Sequence, residues 1–447
     1  MPKLSHFDKE LNSFLQEFSD FINFPSISAN PENLKDCNLC ALFLIEKLKT
    51  IFSIELWEKP NHPPIIFAQY KNKNPSSPTL LIYNHYDVQP ANLEDGWEDD
   101  PFSLREKDGK LFARGVSDNK GQCFYTWKAL QYYYQSRGGF PVNITWIIEG
   151  EEESGSEALR YFIEDKNPVL RSDYVLIVDG GFTSAQCPSI SIGARGLLTL
   201  KITLKEGESD MHSGTFGGIA YNVNRALVEL LASFHNENNE ISVNHFYDDV
   251  SLPENYKITN QNYTDHTWGF APVLYPPAKT PKEASTIYPT IEINGISGGY
   301  TGPGFKTVIP CQATAFLSCR LVPNQNPEKI TKAITEHLIQ HTPKQVQLSY
   351  EFCQGNPGWR SSGNLPIANI LREVYSELYG ISCHEAFMEG TIPIATLLRE
   401  ASQAEPIICG TSYLTDNIHA AEENFSIDQM RKGFLSVYLI LDKLAKQ

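Results

Sequence analysis

This chain has no segment approaching the ~18 uninterrupted apolar residues that a membrane-spanning helix needs, so no membrane span is expected. It is short of positive charge: 37 Lys and Arg stand against 53 Asp and Glu, a formal net charge of -16. No basic stretch is dense enough to neutralise phosphates, so nucleic acid is not an expected partner. Residues 1–28 hold no basic segment followed by a long apolar one, and no secretion signal is read there. The nine cysteines are odd in number and scattered, which suits free thiols in a reducing cytoplasm. Cys37-x-x-Cys40 is the single close pair; with no second pair to complete a zinc site, it reads as helix packing. His-Glu-x-x-His is missing, and so is a Gly-x-x-x-x-Gly-Lys-Ser/Thr phosphate loop. Gly295-Ile296-Ser297-Gly298-Gly299 matches Gly-x-Ser-x-Gly, with Asp416 and His419 following in triad order. A nucleophile elbow must lead into a helix, however, and Tyr300-Thr301-Gly302-Pro303-Gly304 cannot continue one.

What is present suffices for two cores. At 447 residues with 41% hydrophobic content, the chain exceeds the size at which one core stops growing. Apolar residues from Leu4 to Ile22 recur at three and four positions, predicting an amphipathic helix, and a second helix covers about 34–51. Strands are predicted over 54–59, 65–70, 79–84, 142–149 and 174–178, with helices over 120–135 and 157–165 between them. This is α/β wiring, a mostly parallel sheet flanked by helices. After residue 195 the style changes. Strands over 197–205, 290–296, 312–321 and 345–352, with helices over 218–235 and 327–342, predict a smaller antiparallel α/β unit. The polar stretch 236–281 reads as loop-rich. The first style returns with helices over 366–379, 392–401 and 426–445 and a strand over 406–409. The simplest organisation is one α/β domain made of 1–195 and 358–447, interrupted by a second domain over 196–357.

Three apolar runs end on metal-binding residue types. Leu80-Leu81-Ile82-Tyr83 leads into His85-Tyr86-Asp87, Ile144 to Ile148 into Glu151-Glu152-Glu153, and Tyr174 to Val178 into Asp179. Between the first two lies Gly115-Val116-Ser117-Asp118-Asn119-Lys120-Gly121. Buried parallel strands read as continuous apolar runs, and open α/β sheets bind ligands just beyond the strands' carboxyl ends. These segments therefore converge on one acid-rich site, which would repel itself without cations. Singly, the pieces stay ambiguous. His85 with Asp87 is also the pattern of a core histidine beside an acid, and Asp118 that of a turn or N-cap residue. The glutamates end a strand, and adjacent carboxylates there face different ways, so one can bind metal while its neighbour serves as general base. Asp416 to Glu423 follows another buried-looking strand and offers a second histidine, His419.

The ordered set His85-x-Asp87, Gly115-x-x-Asp118-Asn119-Lys120-Gly121, Glu152-Glu153-Ser154-Gly155-Ser156, Asp179, Met211-His212-Ser213-Gly214 and His419 spans nearly the whole chain. It resembles the co-catalytic zinc peptidases, the family of aminoacylase, glutamate carboxypeptidases, succinyl-diaminopimelate desuccinylase and the carnosinases. Lys306 to Pro310, Arg320 to Asn324 and Gly390-Thr391-Ile392-Pro393 resemble the carnosinase and cytosolic nonspecific dipeptidase branch, with Thr391 where that branch often carries serine. The resemblance implies a zinc-exopeptidase-like catalytic domain and an inserted lid and dimerisation domain, hence a homodimer. It implies two divalent ions per subunit, zinc first, with manganese and cobalt also accepting this donor set. One ion would be held by His85, Asp118 and Asp179, the second by Asp118, Glu153 and His419. A shared carboxylate sets two cations roughly 3.5–4 Å apart, close enough to act on one water. Glu152 would be the general base and Asp87 would orient His85. His212 would stabilise the oxyanion, in several relatives from the opposite subunit. His212, Thr307, Arg320, Gly390 and Thr391 would bind substrate. Apart from the resemblance, Arg320 reads as an ordinary strand arginine and His212 as a turn histidine. The implied activity is hydrolysis of dipeptides or short peptides; the alternative is deacylation of N-acyl amino acids, since both substrates carry a carboxylate.

Overall fold

A computed structural model describes residues 2–182, 184–251, 278, 280–353, 355–361 and 364–446. Much of the stretch 236–281, expected to be loop-rich, lies outside the described residues. The chain forms two compact units, one of Met1–Ile192, Ser361–Ala386 and Ile394–Gln447, the other of Gly193–Arg360 and Phe387–Pro393. Residues 387–393, expected within the 358–447 part of the first domain, group with the second unit. Among the described residues, no helix is long and apolar enough to cross a membrane.

The first unit is built on one sheet. Its strands run, in spatial order, Ser53–Trp57, Ile65–Tyr70, Asn143–Glu149, Thr79–His85, Tyr174–Val178, Pro406–Cys409 and Ser189–Ala194. The middle four are mutually parallel, and the strands on both sides of them are antiparallel. The sheet is therefore mixed rather than mostly parallel. Apolar runs such as Leu80 to Tyr83 and Ile144 to Ile148 are buried throughout, as strands covered on both faces must be. Helix Leu34–Leu48 packs on strand Ile65–Tyr70, and helix Lys120–Arg137 on strand Thr79–His85. Cys37 and Cys40 are buried in the first of these helices. Helix Pro2–Ile22 buries Phe7, Phe14, Phe18, Phe21 and Ile22, its three-and-four repeat, and lies against Lys120–Arg137 and Ile427–Leu444. Ser426 starts the last helix with a capping box to Gln429.

The second unit has a four-stranded antiparallel sheet ordered Thr290–Gly298, Gln312–Leu321, Gly196–Lys205 and Gln347–Phe352. Leu198, Leu200, Ile202 and Leu204 alternate onto one face, where they meet Leu227 and Leu230 of helix Val223–Ala232 and Ile334 and Leu338 of helix Pro327–His341. The helix expected over 218–235 is confined to Val223–Ala232. Gly218 takes a left-handed φ of 80°, and the Asn222 side chain accepts from the Arg225 N–H, so the helix begins there.

Candidate active site

The three parallel strands Asn143–Glu149, Thr79–His85 and Tyr174–Val178 all end at the same edge, with His85 in register with Glu149. His85 is fully buried. Its Nδ1 lies 3.2 Å from Asp87 Oδ1 and 3.1 Å from the Asp87 carbonyl, so this nitrogen carries the proton and Nε2 faces the acids. Nε2 is 3.2 Å from Asp118 Oδ1 and 3.5 Å from Asp179 Oδ1. Asp87, also buried, accepts from the Glu152 and Glu153 N–H groups at 3.2 and 3.0 Å and from the Ser28 hydroxyl at 2.6 Å. One carboxylate thus ties the histidine to the turn that carries both glutamates.

Asp118 sits just before helix Lys120–Arg137, at a cis peptide bond to Asn119. The turn is tight: a Cβ on Gly121 would come within 1.9 Å of the Val116 carbonyl oxygen. Asn119 laces the strand ends together. It accepts from Asn84 at 2.8 Å and donates to the Val178 carbonyl at 2.9 Å and to Asp179 at 2.8 Å.

On the other side of Asp118, His419 Nε2 lies 3.0 Å from Asp118 Oδ2 and 3.2 Å from Glu153 Oε2. His419 comes from a loop in which Asn417, His419 and Glu422 all have positive φ, a backbone state L-residues adopt at a cost. Gln89 donates to Glu153 Oε2 at 2.8 Å. Two triads result, His85–Asp118–Asp179 and Asp118–Glu153–His419, each with donor atoms within 4.8 Å of one another. Asp118 belongs to both.

The charges define the field. Burial alone would depress His85, but Asp179, Asp118 and Asp87 together hold it well above its ordinary value. Hydrogen bonds to Asp118 and Glu153 push His419 up to about 10. Burial, with Asp179, Glu153 and Asp118 adding to it against His85, drives Glu152 well above the usual carboxylate range. Glu153 and Asp179 are raised as well, chiefly by burial, whereas Asp118, bonded to both His419 and His85 against the effect of burial, is held well below the usual carboxylate range and keeps its negative charge between them.

One residue of this centre escaped the sequence reading. Glu423 is fully buried and accepts from the Gly115, Ser117 and Asp118 N–H groups at 2.9, 2.9 and 3.0 Å, and from Arg114 at 2.8 Å. It shapes the Asp118 turn from more than 300 residues away in sequence. Asp416, the acid of the discarded hydrolase pattern, is bound by Tyr413 N–H, Gln429 and Ser117 instead. Ser297 lies within strand Thr290–Gly298, not at a strand-to-helix elbow.

The other expected site residues lie in the second unit, in two groups. His212 and Thr307 share one small ladder: strand Met211–His212 pairs with Val308–Ile309, and the Ser213 N–H donates to the Thr307 carbonyl. His212 is exposed, and its Nδ1 accepts from the Gly214 N–H at 2.9 Å, which leaves the proton of the neutral ring on Nε2. In the second group Arg320 Nη1 donates to Thr391 Oγ1 at 2.8 Å. Gly390 beside it leaves open space, with nothing within 4 Å of where a Cβ would be.

Comparison with known proteins gives this arrangement a family. The chain is similar to Cys-Gly metallodipeptidase dug1 of Schizosaccharomyces pombe, 29% identical over 449 residues, covering 95% of this chain and 94% of that protein. It is similar to Beta-Ala-His dipeptidase of Homo sapiens, 32% identical over 383 residues, covering 81% and 74%. Among solved structures it resembles human carnosine dipeptidase 1, with a TM-score of 0.82, 27% identity and coverage of 100% and 98%. It also resembles the M20 family metallo-carboxypeptidase Sso-CP2 from Sulfolobus solfataricus, with a TM-score of 0.85, 28% identity and coverage of 97% and 99%. Residues 81–443 match the family profile itself, so this metallopeptidase belongs to Peptidase family M20/M25/M40.

Proposed function

We propose that this enzyme hydrolyses the peptide bond of dipeptides and short peptides bearing a free carboxylate, with two divalent ions, zinc first, and Glu152 as general base. The observation that carries the proposal is the sharing of Asp118 by two triads. The donor set suits metal: two imidazoles and three carboxylates converge, and the field that raises both histidines attracts cations. His85, Asp118 and Asp179 would hold one ion, and Asp118, Glu153 and His419 the other. When bound, the pair would supply Lewis acidity for the scissile carbonyl and an acidified water.

The remaining steps belong to side chains. Glu152, whose proton affinity burial raises, accepts the proton of the attacking water and returns it to the leaving amine. Asp87 engages the Nδ1 proton of His85 and keeps Nε2 turned to Asp118 and Asp179. Arg320 and Thr391 bind the substrate carboxylate, for which a planar guanidinium is suited. His212, with Nε2–H free to donate, assists at the developing oxyanion, and Thr307 binds the substrate. The relatives named for Cys-Gly and Beta-Ala-His dipeptides support this substrate class.

Homodimerisation through the second unit is part of the proposal. Strand Thr290–Gly298 is an edge strand, and Ile293, Ile296 and the nearby helix residue Val228 are exposed, a surface that pairing would cover. Residence in the cytoplasm is proposed on the nine free cysteines.

Metal analysis of the purified protein, joined to a dipeptide panel, tests the reading. Two ions per chain and faster turnover of Ala-Gly than of N-acetyl-alanine are expected; the reverse order of rates would assign a deacylase instead.

A further inference from the structure

The turn that carries Thr391 is gripped by two arginines, not one. Arg195 Nε donates to the Glu389 carbonyl at 2.9 Å, while Arg320 Nη1 holds Thr391 Oγ1, two residues on. The strand register explains why they meet. The ladder between Gly196–Lys205 and Gln312–Leu321 begins with Gly196 opposite Leu321, and Arg195 directly precedes it, so Arg195 enters beside the Arg320 end of the ladder and the two charges interact. Arg320, paired with Leu197, stands on the face opposite the one carrying Leu198, Leu200 and Ile202 into the core.

Arg195 is an unusual residue to place there. It is only 9% exposed, and among the described residues its Nε alone has a hydrogen-bond partner. Burial first, then the charge of Arg320, lowers it to about 10, while Glu389 and Glu292 oppose that shift. The carboxylate of Glu389 is paired with Lys282. Neither arginine carries a fully buried, unsatisfied nitrogen, so the unbonded groups of both keep access to the surface, and an anion that joins the two guanidiniums would relieve their repulsion. A bidentate acceptor such as a carboxylate matches both forks.

We infer that Arg195 is a positioning and specificity-determining residue of the substrate-carboxylate subsite. It holds the 389–391 turn beneath Arg320 and adds a second positive charge opposite the carboxyl end of a dipeptide. The inference rests on the dipeptidase reading above and extends it: the ligand is a peptide with a free terminal carboxylate, and the blocked carboxamide is discriminated against by two arginines together.

The test compares Ala-Gly with Ala-Gly carboxamide on the wild type, Arg195→Gln and Arg195→Lys, with KM and kcat measured separately and melting temperature recorded. Arg195→Gln is expected to raise KM for the free acid roughly ten- to a hundredfold, as loss of a charged hydrogen bond does. The amide should change little, so the acid-to-amide preference collapses. Arg195→Lys, which keeps the charge without the fork, should retain part of that preference. An unchanged preference, with both substrates falling together, would overturn the inference and leave Arg195 a purely structural brace. Should Arg195→Gln fail to fold, the lysine variant decides on the same pair: a reduced preference supports the subsite and an unchanged one overturns it. Wild-type protein that hydrolyses neither compound would sink the dipeptidase reading itself, and the inference with it.

Discussion

His419 in the first unit and His337 in the second are the same residue type, and the fold treats them in opposite ways. His419 is half exposed, yet Asp118 and Glu153 push it up to about 10. His337 is buried, stacked on Phe234 and His341 and bonded to Ser233 Oγ, and burial with the charge of His341 drives it down to about 4. The residue type is the same and the neighbours differ. Where carboxylates crowd, positive charge is attracted and a metal centre is chemically sensible. Where apolar helices crowd, the ring is kept neutral and serves only packing. Proton affinity, read residue by residue, thus separates a candidate site from a core more sharply than residue identity does.

The most severe way to break this contrast is to remove the shared acid. Asp118→Ala takes a donor from both triads, so metal content should fall from two ions to one or none, and turnover should vanish. A variant that keeps both ions and its activity would show that the carboxylate cluster is not a metal centre. Next in size is Glu152→Gln, which leaves all five proposed ligands in place. Turnover should fall by roughly two to four orders of magnitude while metal content is unchanged, because proton transfer alone is lost. Substantial residual turnover would remove Glu152 from the role of base. Third is Glu423→Gln. An amide cannot accept from three backbone N–H groups and Arg114 as a carboxylate does, so metal affinity should weaken about ten- to a hundredfold, measured by chelator competition. Unaltered affinity would confine Glu423 to stabilising the fold.

That third residue also marks where the sequence stops being readable. Strands ending on His85, Glu151 to Glu153 and Asp179 could be read in advance, because buried parallel strands are continuous apolar runs and their ends are visible as the first polar residues. Strand direction could not. Ile65–Tyr70 is as apolar as Thr79–His85, and nothing in a two-sided buried run tells a parallel neighbour from an antiparallel one, so the mixed character of the sheet was missed. Glu423 was hidden because Glu422-Glu423 reads as a solvated acidic pair. Its burial depends on Arg114 and the 115–118 turn, contacts far away in sequence. Arg195 is hidden for a related reason: Gly193-Ala194-Arg195-Gly196 signals a change of style in the chain, and only the ladder that begins at Gly196 brings Arg320 close as a neighbour of like charge. The start of helix Val223–Ala232, by contrast, is legible, since Asn222 is an N-cap residue type immediately before the first apolar residue of the repeat.

The smallest expected effect tests the other half of the comparison. An unfolded histidine titrates near about 6.5, while His337 in the fold titrates at about 4. Between these values the unfolded chain binds a proton that the folded chain refuses, so stability rises with pH across the window. The contribution is fully present above about pH 6.5 and is lost as pH falls toward 4, the direction required of a group whose folded value is depressed. His337→Phe keeps the stack on Phe234 but gives up the Ser233 bond, which costs about 1 kcal/mol at pH 7. At pH 5 the wild type also bears its proton penalty and the variant does not, so the gap between them should narrow. Amide exchange in helix Pro327–His341 at the two pH values reads this locally, independent of the carboxylates of the other unit. A gap that stays constant from pH 7 to pH 5 would mean that His337 is not held neutral, and the opposition between the two histidines would then rest on His419 alone.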